Sequence, residues 1–336
     1  MIIPYYWAEG RVQQQYLGKQ ITVRRFGWSN HSDADAQTMA DQRAQQALER
    51  IVSGEQLARR EPKSAYNGAD GVPIREEILS EHGDAVITRN AYGARCLNTP
   101  NVFFADIDFE IESARPPNYT GSIFSAVWLG SMALAWVLGW LSWPVAVGLL
   151  MLALVITAFI ASVLGKRKQA AAAAAPVVLS APEAAAKLRV QTFLDTHPSW
   201  GFRLYRTPAG LRLMATHQTL LPHDPEAALA LQALGADPVY TAMCLKQNCF
   251  RARLTAKPWR IGVHSHMRPS PGVWPVAPGR LQQRQAWVQT YEKAAASFAA
   301  CRYIEALGHP TVHFEVAAVM ALHDEQCQAT SGLQIA

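Results

Sequence analysis

The sequence predicts an α+β cytoplasmic domain interrupted by a two-helix transmembrane hairpin. The first observation behind this prediction is the stretch 116–165, which is mostly apolar and contains no Asp, Glu, Lys, Arg or His. The second is the mixture of strand-like and helix-like runs on both sides of that stretch. Because two spans return the chain to the side of the membrane that it left, we expect the two flanking parts to share one domain.

The part before the hairpin, 1–115, is predicted to mix strands and helices. Ser32 is typical of a helix N-cap, and Gly54 is typical of a helix end. Alternating apolar residues and turn residues favour strands elsewhere in this part. The predicted elements are, in order, one or two strands within 5–28, a helix over 33–53, a short helix over 74–81, and strands over 84–90 and 101–110.

The apolar stretch divides into two predicted spans, 123–143 and 144–164, within a hairpin over 121–165. Each span would be roughly 30 Å long as a helix, which matches the hydrocarbon core of a bilayer. Trp140 and Trp143 lie at the midpoint, where a turn would meet the membrane interface. The alternative is a pair of core helices buried in protein.

The charges that flank the hairpin predict its orientation. Arg115 precedes it, Lys166 and Arg167 follow it, and the turn between the spans carries no cation. By the positive-inside rule, both ends face the cytoplasm, which predicts an integral protein of the inner (cytoplasmic) membrane. The predicted partners are therefore the lipid bilayer and a second copy of the chain that pairs through the hairpin. The first residues predict no cleavable signal peptide.

A basic flank and an Ala- and Pro-rich linker, 166–187, lead to the C-terminal part, 188–336. The turn residues 207–210 predict a hairpin between two strands. The predicted elements are, in order, a helix ending near 196, strands over 201–206 and 211–217, helices over 225–234 and 238–247, a strand and loop over 249–262, and a helix over 281–307.

Composition narrows the function only slightly. The formal net charge is +5, which suits anionic lipid headgroups, nucleotides or nucleic acid without selecting one of them. There is no Walker loop, nucleophile elbow, His-Glu-x-x-His motif or dinucleotide fingerprint. These absences argue against the commonest ATPases, hydrolases, zinc proteases and dehydrogenases.

The sharpest local signal is the apolar run 102–109, which contains Asp106 and Asp108. On a strand, residues two apart share a face, so the two carboxylates lie close enough to repel. Mg²⁺ or Mn²⁺, which prefer carboxylate oxygens, would relieve this repulsion and support phosphoryl transfer. The alternative is the exposed acidic face of a strand that leaves the core.

Two later features extend this signal. Arg212 and His217 lie in the second strand of the predicted hairpin, and Asp324 follows an apolar residue and His323. This order resembles the three motifs of the archaeo-eukaryotic primase and PrimPol superfamily, although only over short patches. The resemblance implies that Asp106, Asp108 and Asp324 bind the catalytic metal ions. It also implies that His217, or Arg212 in its place, holds the phosphates of a nucleotide.

A basic cluster follows at 250–260. Arg251 and Arg253 would share one face of a strand, and guanidinium groups suit phosphates. Lys257 and Arg260 add positive charge, and Trp259 could stack on a base. A solvated basic strand and a surface lying against acidic lipids are equally compatible with this pattern.

The five cysteines are expected to be reduced thiols or metal ligands rather than disulfides. Cys244 and Cys249 form a close pair that could bind zinc. His323 and Cys327 would share a face of a helix, because they are four residues apart. Further His and Cys side chains that could contribute are His264, His266 and Cys301. The spacing fits no firm zinc pattern, and buried free cysteines are the simpler interpretation.

Two functions follow as predictions. The first is a membrane-anchored, metal-dependent nucleotidyl- or phosphoryl-transfer domain that resembles primases. The second is a non-catalytic, membrane-tethered module that binds a protein or nucleic acid through the basic cluster.

Overall fold

A computed structural model describes residues 1–16, 18–61, 71–109, 181–270 and 272–336, together with scattered residues between 128 and 157. Met1–Phe109 and Glu183–Ala336 form one compact unit, which we call the core unit. Glu110–Pro182 forms a second unit. The core unit contains both strands and helices, which is the α+β content that the sequence predicts.

The described part of the core unit contains ten strands and six helices of ten or more residues. The strands are β1 (Tyr6–Tyr16), β2 (Lys19–Ser29), β3 (Glu77–His82), β4 (Ala85–Arg89), β5 (Arg95–Thr99), β6 (Phe104–Asp108), β7 (Gly201–Arg206), β8 (Gly210–Ala215), β9 (Phe250–Arg253) and β10 (Arg302–Gly308). The helices are α1 (Asp33–Val52), α2 (Ala181–Thr196), α3 (Pro225–Leu234), α4 (Pro238–Gln247), α5 (Leu281–Ala295) and α6 (Phe314–Cys327).

The strands form three antiparallel sheets. β1 and β2 make a two-stranded sheet, and the two four-stranded sheets have the orders β10-β7-β8-β6 and β3-β4-β5-β9. In the first four-stranded sheet, β6 comes from the N-terminal part and pairs with β8. In the second, β9 comes from the C-terminal part and pairs with β5. Each part of the chain therefore supplies a strand to the other part's sheet.

One hydrophobic core joins the two four-stranded sheets. Phe103 lies at its centre, with its ring centroid 5.8 Å from that of Trp200 and 5.3 Å from that of Phe250. All three side chains are buried. Because aromatic side chains bury large apolar areas, this contact holds the segment before β6 against both sheets.

The helix α1 lies on the β1–β2 hairpin at very close range. Ser32 caps it as predicted, accepting a hydrogen bond from the backbone N–H of Asp35 at 3.1 Å. A Cβ atom added to Gly27 would lie 2.2 Å from the backbone oxygen of Ala36. Glycine on the strand and alanine on the helix therefore allow the two backbones to approach.

The predicted transmembrane hairpin is contradicted. No helix in the described part of the chain combines the length and the apolar character that crossing a bilayer requires. Gly139 has φ 69°, and its N–H donates to the backbone oxygen of Trp136 at 3.0 Å, which forms a turn inside the predicted span 123–143. Parts of both predicted spans, including 123–127 and 158–164, lie outside the described residues. The integral-membrane placement rested on these spans and is contradicted with them.

Candidate functional site

Asp106 and Arg212 form an ion pair across two neighbouring strands. They are directly opposite one another in the β6–β8 register. Arg212 donates from Nε to Oδ1 at 2.7 Å and from Nη2 to Oδ2 at 3.1 Å. Burial tends to raise the pKa of the Asp106 carboxyl, but the guanidinium outweighs burial and lowers it. Asp106 is thus ionised, with both oxygens already bonded.

Asp324 lies on α6 and is bonded to a different arginine. Its Oδ2 accepts from Arg203 Nη2 at 2.5 Å, and its Oδ1 accepts from the Tyr205 hydroxyl at 2.6 Å. Arg203 and Tyr205 share one face of β7, so this strand holds the carboxylate in place. Arg212 and His323 lie between Asp324 and Asp106. Arg212 Nη1 is 3.4 Å from His323 Nε2, and His323 Nδ1 is 3.2 Å from Asp324.

Asp108 is the carboxylate that reaches solvent at this end of β6. Nearby protein atoms shield it from part of the water and raise the pKa of its carboxyl, and the charges of Asp106 and Asp237 raise it further. Asp237 caps α4, whose first turn lies beside β6 because the backbone N–H of Asp237 donates to the backbone oxygen of Asp106 at 3.3 Å. Three carboxylates are thereby gathered around one strand end.

Three cations lie near these carboxylates without an ion-pair partner among the described residues: Arg253, Lys257 and Arg260. Arg253 ends β9, and Arg260 lies in the 3-10 turn Pro258–Ile261. Burial lowers the pKa of Lys257, and repulsion from Arg253 and Arg260 lowers it further. The Nε atom of Arg253 and the Nη1 atom of Arg260 are buried and have no hydrogen-bond partner. We call these three residues the cation cluster.

An aromatic-walled cavity of about 490 Å³ adjoins the cation cluster. Tyr92 and Trp259 line it, with ring centroids 5.3 Å apart in an edge-on contact. Lys257 Nζ is 5.5 Å from the Trp259 centroid. Half of the Trp259 surface is exposed, at 50%. We call this space the Trp259 cavity. Its other lining residues include His264, His266 and Met267.

Arg251 does not join the cation cluster. Its Nη2 atom is 2.7 Å and 2.6 Å from the two carboxylate oxygens of Glu76, and both side chains are buried. Glu76 also accepts from the Thr88 hydroxyl at 2.6 Å. The pair therefore belongs to the interior beside β9.

His217 lies beyond the far end of β8, five residues from Arg212. Its Nδ1 accepts from the Gly201 N–H at 3.3 Å, and its ring packs 4.6 Å from that of Trp200. Five residues of extended chain span roughly 15 Å. The structure therefore does not bring His217 to the Asp106–Arg212 pair.

The cysteines are all free and buried. Burial raises the pKa of the Cys244 and Cys249 thiols, that of Cys249 to about 12. In the described part of the chain, one group of three His, Cys, Asp or Glu side chains has its ligand atoms within 4.8 Å of one another: Cys301, His323 and Cys327. This buried group could hold a metal ion such as zinc. Asp106, Asp108 and Asp324 form no such group, so the predicted Mg²⁺ or Mn²⁺ site lacks this support.

Several residues of this region were not found from the sequence. Arg203 and Tyr205 are two residues apart on a predicted strand, and this spacing indicates that they share a face. Tyr92 forms a hydrogen bond with Arg253, and Glu76 pairs with Arg251. Neither residue carries a local signal, since each partner is far away in sequence. A comparison of the chain with known protein families, curated proteins and solved structures gives no match. The primase resemblance accordingly stays a prediction.

Proposed function

We propose that the protein binds a nucleotide, with its phosphates on the cation cluster and its base in the Trp259 cavity. The observation that carries the proposal is that Arg253, Lys257 and Arg260 lie together without carboxylate partners beside an aromatic-walled cavity. Holding like charges together costs stability, and such costs concentrate at functional sites.

The chemistry of the cluster selects a phosphate. Guanidinium groups donate two parallel hydrogen bonds to phosphate oxygens, and a lysine adds a compact positive charge. The unbonded Nε of Arg253 and Nη1 of Arg260 are donors that such oxygens would satisfy. A phosphate would also relieve the repulsion that lowers the pKa of Lys257.

The aromatic wall favours a nucleotide over inorganic phosphate. Trp259 offers a half-exposed ring on which a base can stack, and such stacking stabilises binding by about 1–3 kcal/mol per base. A volume of about 490 Å³ lies within the range of small-ligand pockets.

Asp108 would bind the metal ion for metal-dependent phosphoryl transfer, the activity that the primase resemblance implies. Mg²⁺ or Mn²⁺ is commonly held by one or two carboxylates together with the phosphates of the substrate. Asp108 forms no ion pair with any cation among the described residues, and the positive charge of Lys257 acts on its carboxylate. Its neighbour Asp106 is held by Arg212.

Binding without catalysis is a second candidate, favoured by one observation. Both oxygens of Asp106 are bonded to Arg212, whose positive charge neutralises this carboxylate and opposes a metal ion beside it. The second candidate is therefore a module that binds nucleotide or nucleic acid through the same cation cluster and performs no reaction.

Titration with a fluorescent nucleoside triphosphate, with and without Mn²⁺, tests binding. We expect Lys257→Gln to weaken binding about tenfold, because a hydrogen bond to a charged group contributes about 1.5 kcal/mol or more. The matched control is Lys293→Gln, which removes an exposed lysine of α5 and should leave the affinity unchanged. Equal affinities in the wild type and Lys257→Gln would contradict the proposal.

Turnover separates the two candidates. Wild-type protein is incubated with nucleoside triphosphates, Mn²⁺ and a single-stranded DNA template, and products are resolved by size. Transfer that is lost in Asp108→Asn, while nucleotide binding without metal persists, supports catalysis. Tight binding without any product supports the non-catalytic module.

A further inference from the structure

The group Cys301, His323 and Cys327 is built from two separate segments of the chain. Cys301 directly precedes β10, and His323 and Cys327 lie one turn apart on α6. All three side chains are fully buried. Cys327 Sγ is 3.5 Å from His323 Nε2. In a tetrahedral zinc site, a sulfur and a nitrogen ligand are separated by roughly 3.6 Å. The spacing of these two atoms already suits a shared ion.

Asp324 sets the orientation of the imidazole. His323 Nδ1 lies 3.2 Å from Asp324 Oδ1, so the Nδ1–H donates to the carboxylate and Nε2 faces the two sulfurs. Asp324 is itself held by Arg203 and Tyr205. A carboxylate behind a histidine ligand fixes the ring and strengthens the ligand. The group thus has three candidate ligands and a carboxylate, Asp324, that orients the histidine.

Charge balance makes an ion acceptable in this buried place. Two thiolates neutralise one Zn²⁺, and Asp106 neutralises Arg212, whose Nη1 lies 3.4 Å from His323 Nε2. The backbone oxygen of Arg253 accepts from Cys327 Sγ at 3.5 Å and from Arg212 Nη1 at 2.9 Å, so the end of β9 packs against this group.

We propose that Cys301, His323 and Cys327 form a structural zinc site that ties α6 to the start of β10. The site is separate from the proposed nucleotide site, and neither proposal depends on the other. The ion would hold α6 in place, and α6 contacts Arg212 through His323 and the backbone of Arg253 through Cys327.

Metal analysis of the purified full chain tests the proposal without any variant. Protein prepared without an affinity tag or chelator should contain about one zinc ion per chain. Replacement of zinc by Co²⁺ should give the absorption spectrum of a tetrahedral cobalt–thiolate centre. Wild-type protein that contains no zinc and gives no such spectrum with added Co²⁺ would overturn the proposal. A Cys301–Cys327 disulfide found by mass spectrometry in freshly purified protein would also overturn it.

Variants then assign the ligands. Cys301→Ser and Cys327→Ser should each reduce the zinc content of the monodisperse fraction to about one tenth or less. Cys244→Ser, which changes another buried cysteine, should retain the zinc. Retention of full zinc content in both Cys301→Ser and Cys327→Ser would place the ion elsewhere and refute the assignment.

Discussion

Two arginines two positions apart on β9 have opposite surroundings. Arg251 is bonded to Glu76 inside the protein, whereas Arg253 is not paired with a carboxylate in the described residues and belongs to the cation cluster. The sequence pattern predicted one shared role for both, because residues two apart on a strand point to the same face. The face is shared, but the partner that each side chain meets across it is different. The buried carboxylate of Glu76 gives Arg251 a structural role, whereas Arg253 belongs to the site proposed for phosphate.

Replacement of Glu76 by Gln tests the structural role of Arg251. Removing one member of a buried ion pair leaves an uncompensated charge, so Glu76→Gln should lower the free energy of unfolding by about 3–5 kcal/mol. Urea denaturation followed by circular dichroism measures this loss. Glu55→Gln removes the partner of Arg50 from an exposed pair and should leave the midpoint unchanged. A loss for Glu76→Gln as small as that of the control would show that the pair contributes little.

The sequence predicts faces better than it predicts partners. The period of two on β6 placed Asp106 and Asp108 together, and the spacing of four on α6 placed His323 beside Cys327. Neither pattern contains information about Arg212, which meets Asp106 only when β8 pairs in this register. No sequence pattern distinguishes Cys301 from the other cysteines, and only tertiary packing places it beside His323 and Cys327. Distant pairings of this kind depend on the whole fold.

Elements with explicit boundary residues were predicted best. α3 and α4 each begin with a proline and are followed by a residue with positive φ, Gly235 and Asn248, and their predicted bounds are confirmed. The β7–β8 hairpin that the turn residues 207–210 predicted is likewise confirmed. The predicted helix over 74–81 is wrong, because part of that segment, β3, pairs with β4 instead.

The helix predicted over 281–307 is wrong in its second half. An alanine-rich run carried the helical pattern through 294–300, but α5 ends at Ala295 and β10 begins at Arg302. Tyr303 and Ile304 have side chains that favour strands, and β10 pairs with β7. Pairing with an existing sheet outweighs the local helical preference of the alanines.

Replacement of Gly27 by Ala tests the close contact between α1 and β2. The new methyl group would lie 2.2 Å from the backbone of both Ala36 and Ala40, and a helix backbone cannot yield locally. We expect Gly27→Ala to lower the free energy of unfolding by about 2 kcal/mol or more, measured by urea denaturation. Gly279→Ala is the control, since nothing lies within 4 Å of its added Cβ. Equal stabilities would mean that α1 does not pack on the hairpin in this way.

The core unit depends on an exchange of strands between two distant parts of the chain. β6 completes the sheet built by β7, β8 and β10, and β9 completes the sheet built by β3, β4 and β5. Because the core joins both four-stranded sheets, neither part buries its apolar surface without the other. The cation cluster also depends on this strand exchange. It lies on β9 and the following turn, whereas the carboxylates near it lie on β6.

The segment between the two parts is therefore expected to be dispensable for folding of the core unit. Phe109 and Glu183 both contact Arg206, with the guanidinium carbon 4.6 Å from the Phe109 ring centroid and Nε 3.5 Å from Glu183. The two ends of the core unit consequently lie close together. About eight Gly and Ser residues, with a span of roughly 16 Å, should bridge them in place of 111–180.

The linker variant should unfold cooperatively, with a near-ultraviolet circular dichroism spectrum that shows packed aromatic residues, because the strand exchange and the Phe103 core remain intact. Expression of 1–109 or 181–336 alone should give unfolded or aggregated protein, since each fragment lacks a strand of its sheet. Co-expression of the two fragments should restore a folded one-to-one complex. Independent folding of either fragment would show that the exchange of β6 and β9 does not determine the fold.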